Sequence, residues 1–234
     1  MKALALSIAL LVTVREGGDV QPLVQQLAAY DANTLASELS DEAARRAFWL
    51  NCYNAFVQIL LEEKKPDLTR DEVRRDFFQQ PAITVAGLKL SLNDIEHGML
   101  RHSKIWWSGG YITDPFPDRW QRRLRVPLDY RIHFALNCGA TSCPPIRNYS
   151  AEELDEELRV AEAFFLDTET RVDTSECIIY ASSIFNWFNG DFGGYDGVKK
   201  LILRHHGFAP DMHRHYRLEF TPYDWTVYEH YFSP

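Results

Sequence analysis

The sequence predicts a helix-rich α+β single domain around a small, mainly antiparallel sheet. Three observations carry that expectation. In the first third, apolar residues recur at helical spacing, as Trp49, Tyr53, Phe56 and Leu60 do. Further along, short apolar or alternating runs lie between Gly, Asn and Asp, as strands do. Crossovers long enough for an extended parallel sheet are few, which argues against a doubly wound fold. Of the 234 residues, 46% are hydrophobic and 13% aromatic, enough to bury a core and too many for a disordered chain.

Taken in order, the first element is a choice. Met1-Lys2 before the apolar residues 3–14 imitates a secretion signal, but Arg15-Glu16-Gly17-Gly18 follows with no small-x-small cleavage pattern. Leu4, Ile8, Leu11 and Val14 fall at helical spacing instead. They predict a buried helix ending near Gly17, and with it a cytoplasmic protein. A second helix covers residues 20–30. Residues 1–41 thus form an N-terminal helical segment packed on a domain of residues 42–234.

Residues 42–64 form the strongest helix, closed by Lys64-Lys65-Pro66-Asp67. A short helix follows at 69–78. Ile83-Thr84-Val85 and Leu88-Lys89-Leu90 flank Ala86-Gly87 as a hairpin. Ser91-Leu92-Asn93-Asp94 is a capping box, opening a helix whose core side is Leu92, Ile95 and Met99. Residues 103–128 lack a period and predict a long ordered loop. Residues 130–137 alternate and predict a half-buried strand. Ser150-Ala151-Glu152-Glu153 is a second capping box, starting a helix with Leu154, Leu158, Ala161 and Phe165 on one face. A strand at 176–181, a short helix at 183–189, a helix at 198–206 closed by Gly207 and an edge strand at 217–220 complete the chain.

Charge and hydropathy narrow the partners. The net charge is −8, from 33 acidic and 25 basic side chains, with no basic run to follow a nucleic-acid backbone. No stretch is long and apolar enough for a bilayer. A small-molecule or peptide ligand is the remaining expectation.

Four cysteines in a chain of this length do not make a disulfide scaffold. Cys52, in an apolar helix, and Cys177, in an apolar strand, read as core residues. Cys138 and Cys143 lie in the loop Asn137-Cys138-Gly139-Ala140-Thr141-Ser142-Cys143-Pro144-Pro145. This loop leaves the expected strand 130–137, which would place Arg131, His133, Ala135 and Asn137 on its polar face. A cysteine attacks as the thiolate, so a nearby histidine favours it. Gly139 would let backbone amides approach a substrate oxygen, whereas Pro144-Pro145 offers none. Cys138 is therefore the better nucleophile, and Cys143 a resolving partner or a structural thiol. Simple loop packing by both is an equal alternative.

Other polar groups could complete a site. Glu96 and His97 sit at the margin of the helix after Ser91, with Arg101 a turn beyond, and suit an acid/base pair or a metal ligand. Asn51, Asn54 and Gln58 form a stripe on an otherwise apolar helix and predict a buried amide network. Asp191 could orient a histidine or merely cap a turn. The cluster His205, His206, His213 and His215 is explained in part by a helix C-terminus.

The runs Phe48-Trp49-Leu50-Asn51-Cys52-Tyr53-Asn54-Ala55, Leu90 to Arg101, Arg131 to Ala140, Ser142-Cys143-Pro144-Pro145-Ile146 and Ile184-Phe185-Asn186-Trp187-Phe188 with Asp191-Phe192 occur in that order. Together they resemble the domain of unknown function 547 family over residues 42–207. The family's polar motif positions fall on Asn51, Asn54, Glu96, His97, His133, Cys138, Cys143 and Asp191. Cys52 stands where the family motif more often has an apolar residue, which supports its place in the core. The resemblance implies a shared polar site and no particular activity.

Three readings compete. In a thiol-dependent hydrolase or acyl transferase, Cys138 attacks, His133 or His97 is the base, and Glu96 or Asp191 orients it. Asn51, Asn54, Arg101, Asn137 and Cys143 then support the site. A zinc site would use His97, His133, Cys138 and Cys143, although His-x4-Cys-x4-Cys is not a usual zinc spacing. A non-catalytic binding or scaffold module would use the same residues to hold the loop together.

Overall fold

Asp41 begins the element around which the chain is organised. The computed structural model describes residues 1–233. Helices α1 (Ala3–Arg15), α2 (Gln21–Ala28) and α3 (Ala32–Glu38) come first. Helix α4 (Glu42–Lys64) follows, its Asp41 side chain accepting from Ala44 N at 2.8 Å. That bond satisfies one of the amide donors left free at a helix start. Residues 46–61 of α4 are all buried, so it is the axis of the larger core. Helix α1 packs along it through Leu6, Leu10, Leu11 and Val14. This face is turned slightly from the expected one, and Leu4 and Ile8 are only half-buried.

Helix α5 (Asp71–Gln79) leads into the hairpin β1 (Ile83–Val85) and β2 (Leu88–Leu90), paired antiparallel with Val85 opposite Leu88. Ala86 and Gly87 both take positive φ, the two-residue turn that a right-twisted hairpin favours. Ser91 Oγ then accepts from Asp94 N at 3.1 Å, and Asp94 Oδ2 accepts from Ser91 N at 2.8 Å, which is the expected capping box. The helix it opens, Asp94–Leu100, is a π-helix. Residues 103–128 are mostly irregular, with a 3-10 turn at Trp106–Ser108 and a short helix α6 (Arg119–Leu124).

The expected strand at 130–137 is absent. Residues Tyr130–Phe134 form a 3-10 helix. Asp129 decides this locally: its carboxylate accepts from Arg131 N at 3.0 Å and its carbonyl from Ile132 N at 3.2 Å. A side chain that bonds its own backbone competes with extension. His133 consequently lies in the interior, 4% exposed, and not on a solvated face.

Helix α7 (Leu154–Glu169) keeps Leu154, Leu158, Ala161 and Phe165 buried. Its entry differs in detail from a capping box, because Glu157 and not Glu153 receives the Ser150 amide, at 2.9 Å. Strands β3 (Thr170–Asp173), β4 (Ile178–Ser182) and β5 (Arg217–Thr221) form a second sheet in the order β3-β4-β5. β3 runs antiparallel and β5 parallel to β4. Helix α8 (Ile184–Trp187), a 3-10 turn at Asn189–Phe192 and helix α9 (Gly194–His205) lie between β4 and β5. Phe134, Phe165, Phe185 and Phe192 pack as an aromatic centre of this half. Cys177 corrects a second expectation: it ends the turn after β3 with φ 54° and is exposed.

Candidate functional site

Two cores meet along a cleft of about 730 Å³. The π-helix brings Glu96 and His97 to it, the 3-10 turn brings His133, and the cysteine loop brings Cys138. Residues that lie far apart in the sequence thus share one cavity. Tyr53, Phe188, Tyr223 and Trp225 line it as well, and the exposed rings of Trp106 and Trp107 stand at its rim.

Behind the cleft lies a buried network. Arg101, 0% exposed, donates from Nε to Asp191 Oδ2 at 2.7 Å. His133 Nε2 meets the same oxygen at 2.8 Å. Arg101 Nη1 reaches His97 Nδ1 at 2.8 Å. These contacts fix protons by elimination. Arginine only donates, so His97 Nδ1 accepts and its proton sits on Nε2. Burial would raise the Asp191 pKa, but hydrogen bonds from His133 and Arg101 outweigh it and hold the group at about 2. An ionised carboxylate only accepts, so His133 donates from Nε2, and Nδ1 carries the free lone pair. Phe188 holds both partners, with His133 stacked on its ring at 4.2 Å and the Arg101 guanidinium 4.5 Å above it.

Burial lowers the pKa of His97 well below that of free histidine, and Arg101 and His133 add to the effect. His133 is lowered too, by burial first, although Asp191 opposes it. Both imidazoles are neutral at neutral pH. Glu96 moves the other way, since burial raises its pKa against the pull of Arg101 and of the Tyr53 hydroxyl at 3.2 Å.

The backbone around Asp191 admits no alternative. Gly110 has φ 94°, and a Cβ there would collide with Asp191 Oδ1. Gly190 N donates to Gly109 O at 2.8 Å, tying the two loops. Asp191 is thus held with its Oδ2 bonded to His133 and Arg101.

The polar stripe of α4 is buried and positions the chain on the other side. Asn54 Nδ2 donates to Ala135 O at 3.0 Å, and Asn54 Oδ1 accepts from Asn137 N at 2.9 Å. Asn51 makes the same paired contact with Tyr149, at 2.8 and 2.9 Å. Asn137, 0% exposed, closes the cysteine loop from inside through Gly139 N at 2.8 Å and Pro144 O at 2.7 Å.

Within that loop Cys138 and Cys143 form a disulfide. The amides are spent differently from the sequence expectation. Gly139 N is taken by Asn137, while Cys138 N and Ala140 N point at Cys143 Sγ, at 3.0 and 3.4 Å. No amide of the loop's Cys138-Gly139-Ala140 segment is left for a substrate oxyanion, and the sulfur served by amides is Cys143. The prolines after Cys143 are beside the point, because its donors come from the preceding turn.

Tyr223 is a site residue that the sequence did not single out. Its hydroxyl lies 3.2 Å from each sulfur of the pair. Burial raises its pKa, so the phenol keeps its proton. The C-terminal chain that carries it is laced to the loop, with Tyr228 N on Gly139 O at 2.9 Å and Thr141 N on Thr226 O at 2.9 Å. The aromatic run Tyr223-Asp224-Trp225 was the available signal, but nothing local says which loop it meets. Among the described residues, no group of three His, Cys, Asp or Glu is arranged to hold a metal.

A helix-rich α+β domain with a buried Arg-Asp-His network beside a cysteine pair is the class that fold and site define. Residues 36–166 match the family described as "Protein of unknown function, DUF547", and the chain belongs to that family. No curated protein and no solved structure matches the chain. No helix among the described residues is long and apolar enough to cross a membrane.

Proposed function

We propose that the cleft is the catalytic site of a thiol-dependent hydrolase or acyl transferase acting on a small-molecule or peptide ligand. The observation that carries this reading is that Cys138, His133, His97 and Glu96 line one cavity, with Asp191 bonded behind His133. The reaction needs the reduced protein. His133 Nδ1 takes the Cys138 proton, and the thiolate attacks a carbonyl carbon to give a tetrahedral intermediate. With the loop amides committed, the oxyanion donors are the Nε2–H of His97 and the phenol of Tyr223. His133 returns its proton to the leaving group, and water or another acceptor then releases the acyl group. Glu96 is the second proton carrier. Aromatic walls at Tyr223, Trp187 and Trp225 suit an apolar acyl or peptide body, and Arg74, 4.4 Å above the Trp225 ring, supplies a cation nearby. A cytoplasmic setting, as the sequence suggests, keeps thiols reduced and Cys138 available.

The disulfide gives a second reading some weight: a non-catalytic binding module, its loop held by Asn137 and the Cys138–Cys143 bond. Mass spectrometry of the reduced protein treated with p-nitrophenyl acetate separates the two. The catalytic reading expects a transient acetyl group on Cys138, absent in Cys138→Ser and slowed in His133→Ala. An acetyl-free Cys138 would leave the binding module.

A further inference from the structure

The two sulfurs of the loop are not equivalent, and the difference has a direction. Cys138 is partly exposed and lines the cleft. Cys143 is 5% exposed and sits behind it. The amides of Cys138 and Ala140 both aim at Cys143 Sγ, at 3.0 and 3.4 Å. A disulfide sulfur has no proton, so the single Tyr223 hydroxyl proton is shared between the two sulfurs, each 3.2 Å away. Cys143 thus receives two amides and a share of the phenol, the environment that stabilises a thiolate. From the same groups Cys138 receives only a share of the phenol.

We infer that the Cys138–Cys143 pair performs thiol–disulfide exchange with a thiol entering the cleft, Cys138 being the sulfur attacked and Cys143 the sulfur that leaves. This goes beyond acyl transfer and does not depend on it. An incoming thiolate RS⁻ bonds to Cys138 Sγ. The Cys138–Cys143 bond breaks, and its electron pair departs on Cys143 Sγ into the cradle of amides and phenol. A second thiolate attacks the RS sulfur, releasing RSSR and a Cys138 thiolate, and the two protons given up by the two RSH end on Cys138 and Cys143. The sum is protein disulfide plus two RSH giving protein dithiol plus RSSR, so the substrate is oxidised by two electrons and the protein reduced. Exchange is fastest when the leaving sulfur is the better anion, and the hydrogen bonds place that sulfur on the side away from the cleft.

The cradle is fixed independently of the sulfur bond. Asn137 holds Gly139 N and Pro144 O, and the C-terminal chain holds Gly139 O and Thr141 N. Gly139, with φ 83°, packs so closely on Leu61 that a Cβ would collide with it. Cleavage of the disulfide leaves these contacts intact, and the amides remain aimed at Cys143. The rings of Tyr223, Trp187 and Trp225 beside Cys138 select a thiol with an apolar or aromatic body.

The test uses the whole oxidised protein with Cys177→Ser, which removes the exposed bystander thiol. Benzyl mercaptan, an alkyl thiol with an aromatic body, is added, and the reaction is acid-quenched, alkylated and mapped. The mixed disulfide is expected on Cys138, with the alkyl group on Cys143. Tyr223→Phe should slow the first step about three- to tenfold, the loss of one hydrogen bond to a partly charged sulfur. The reference is an oxidised peptide of residues 136–146, which should react more slowly than the protein. A mixed disulfide on Cys143, a rate no faster than the peptide's, or two free thiols after oxidant treatment would overturn the inference. None of these outcomes reads the acetyl transfer above.

Discussion

Asp191 is the residue on which the site turns. Its Oδ2 accepts from two side chains at once, and the Arg101–Asp191 pair has no solvent exposure. A buried pair contributes little net stability compared with apolar packing, but removing one partner strands the other. Asp191→Ala should therefore cost about 3–5 kcal/mol in urea unfolding, because it leaves the Arg101 charge uncompensated in the core. A loss below about 1 kcal/mol would mean that water reaches Arg101. Solvent access also separates the remaining thiols. Cys52 is buried in α4, and burial raises its pKa, whereas Cys177 is exposed at a turn. Brief iodoacetamide treatment of the native protein should label Cys177 and leave Cys52 untouched, as peptide mapping would report. The run Cys177-Ile178-Ile179 read as three strand residues, yet the positive φ at Cys177 starts the strand one residue later.

At the scale of elements, α4 is both the axis of the core and the clamp on the site. Its amides reach Ala135, Asn137 and Tyr149, and Gln58 Oε1 accepts from His230 N at 2.7 Å. Asn54→Ala would leave Ala135 O and Asn137 N buried without partners. It should destabilise by about 1–3 kcal/mol, measured as a lower denaturation midpoint at an unchanged slope. An unaltered midpoint would show that the stripe holds nothing. This helix, the hairpin and the Ser91–Asp94 box were legible because each carries its own signal: a long apolar period, an Ala-Gly turn, a reciprocal cap. Helices α3 and α6 were not, being short and mostly polar. The 130–134 turn misled because alternation over six residues suits a strand, while the Asp129 side chain decided for a turn. Of the site, the polar residues His97, Glu96, His133, Cys138 and Asp191 were visible by type and motif. Their order in space was not, since Tyr223 meets the loop from 80 residues away.

The whole molecule should reveal the site through acid sensitivity. Burial lowers the pKa values of His97 and His133 from the free value of 6.5, and His206 shifts the same way. Below that value the unfolded chain binds protons that these folded imidazoles refuse. The unfolded state then holds more protons, so stability must fall as pH falls. Glu96 works against this. Its folded pKa lies above 4.5, so the stability it contributes is present below 4.5 and lost as pH rises through the folded value. Two site histidines oppose one carboxylate, and the net slope between about pH 7.5 and 5.5 is set by the histidines. A second loss follows at lower pH, where Asp191, held at about 2 against 3.8 when free, contributes stability that disappears as pH drops from 3.8 towards 2. The unfolding temperature should therefore be higher near pH 7.5 than near 5.5, and fall again below about pH 4. Replacing both imidazoles, in His97→Asn with His133→Gln, lowers stability at every pH and should flatten the upper limb, while the lower limb persists through the Arg101 bond to Asp191 and shrinks to the extent that the His133 bond is weakened. If the double variant keeps the wild-type slope between about pH 7.5 and 5.5, the acid sensitivity arises elsewhere and the site imidazoles are not held neutral by the fold.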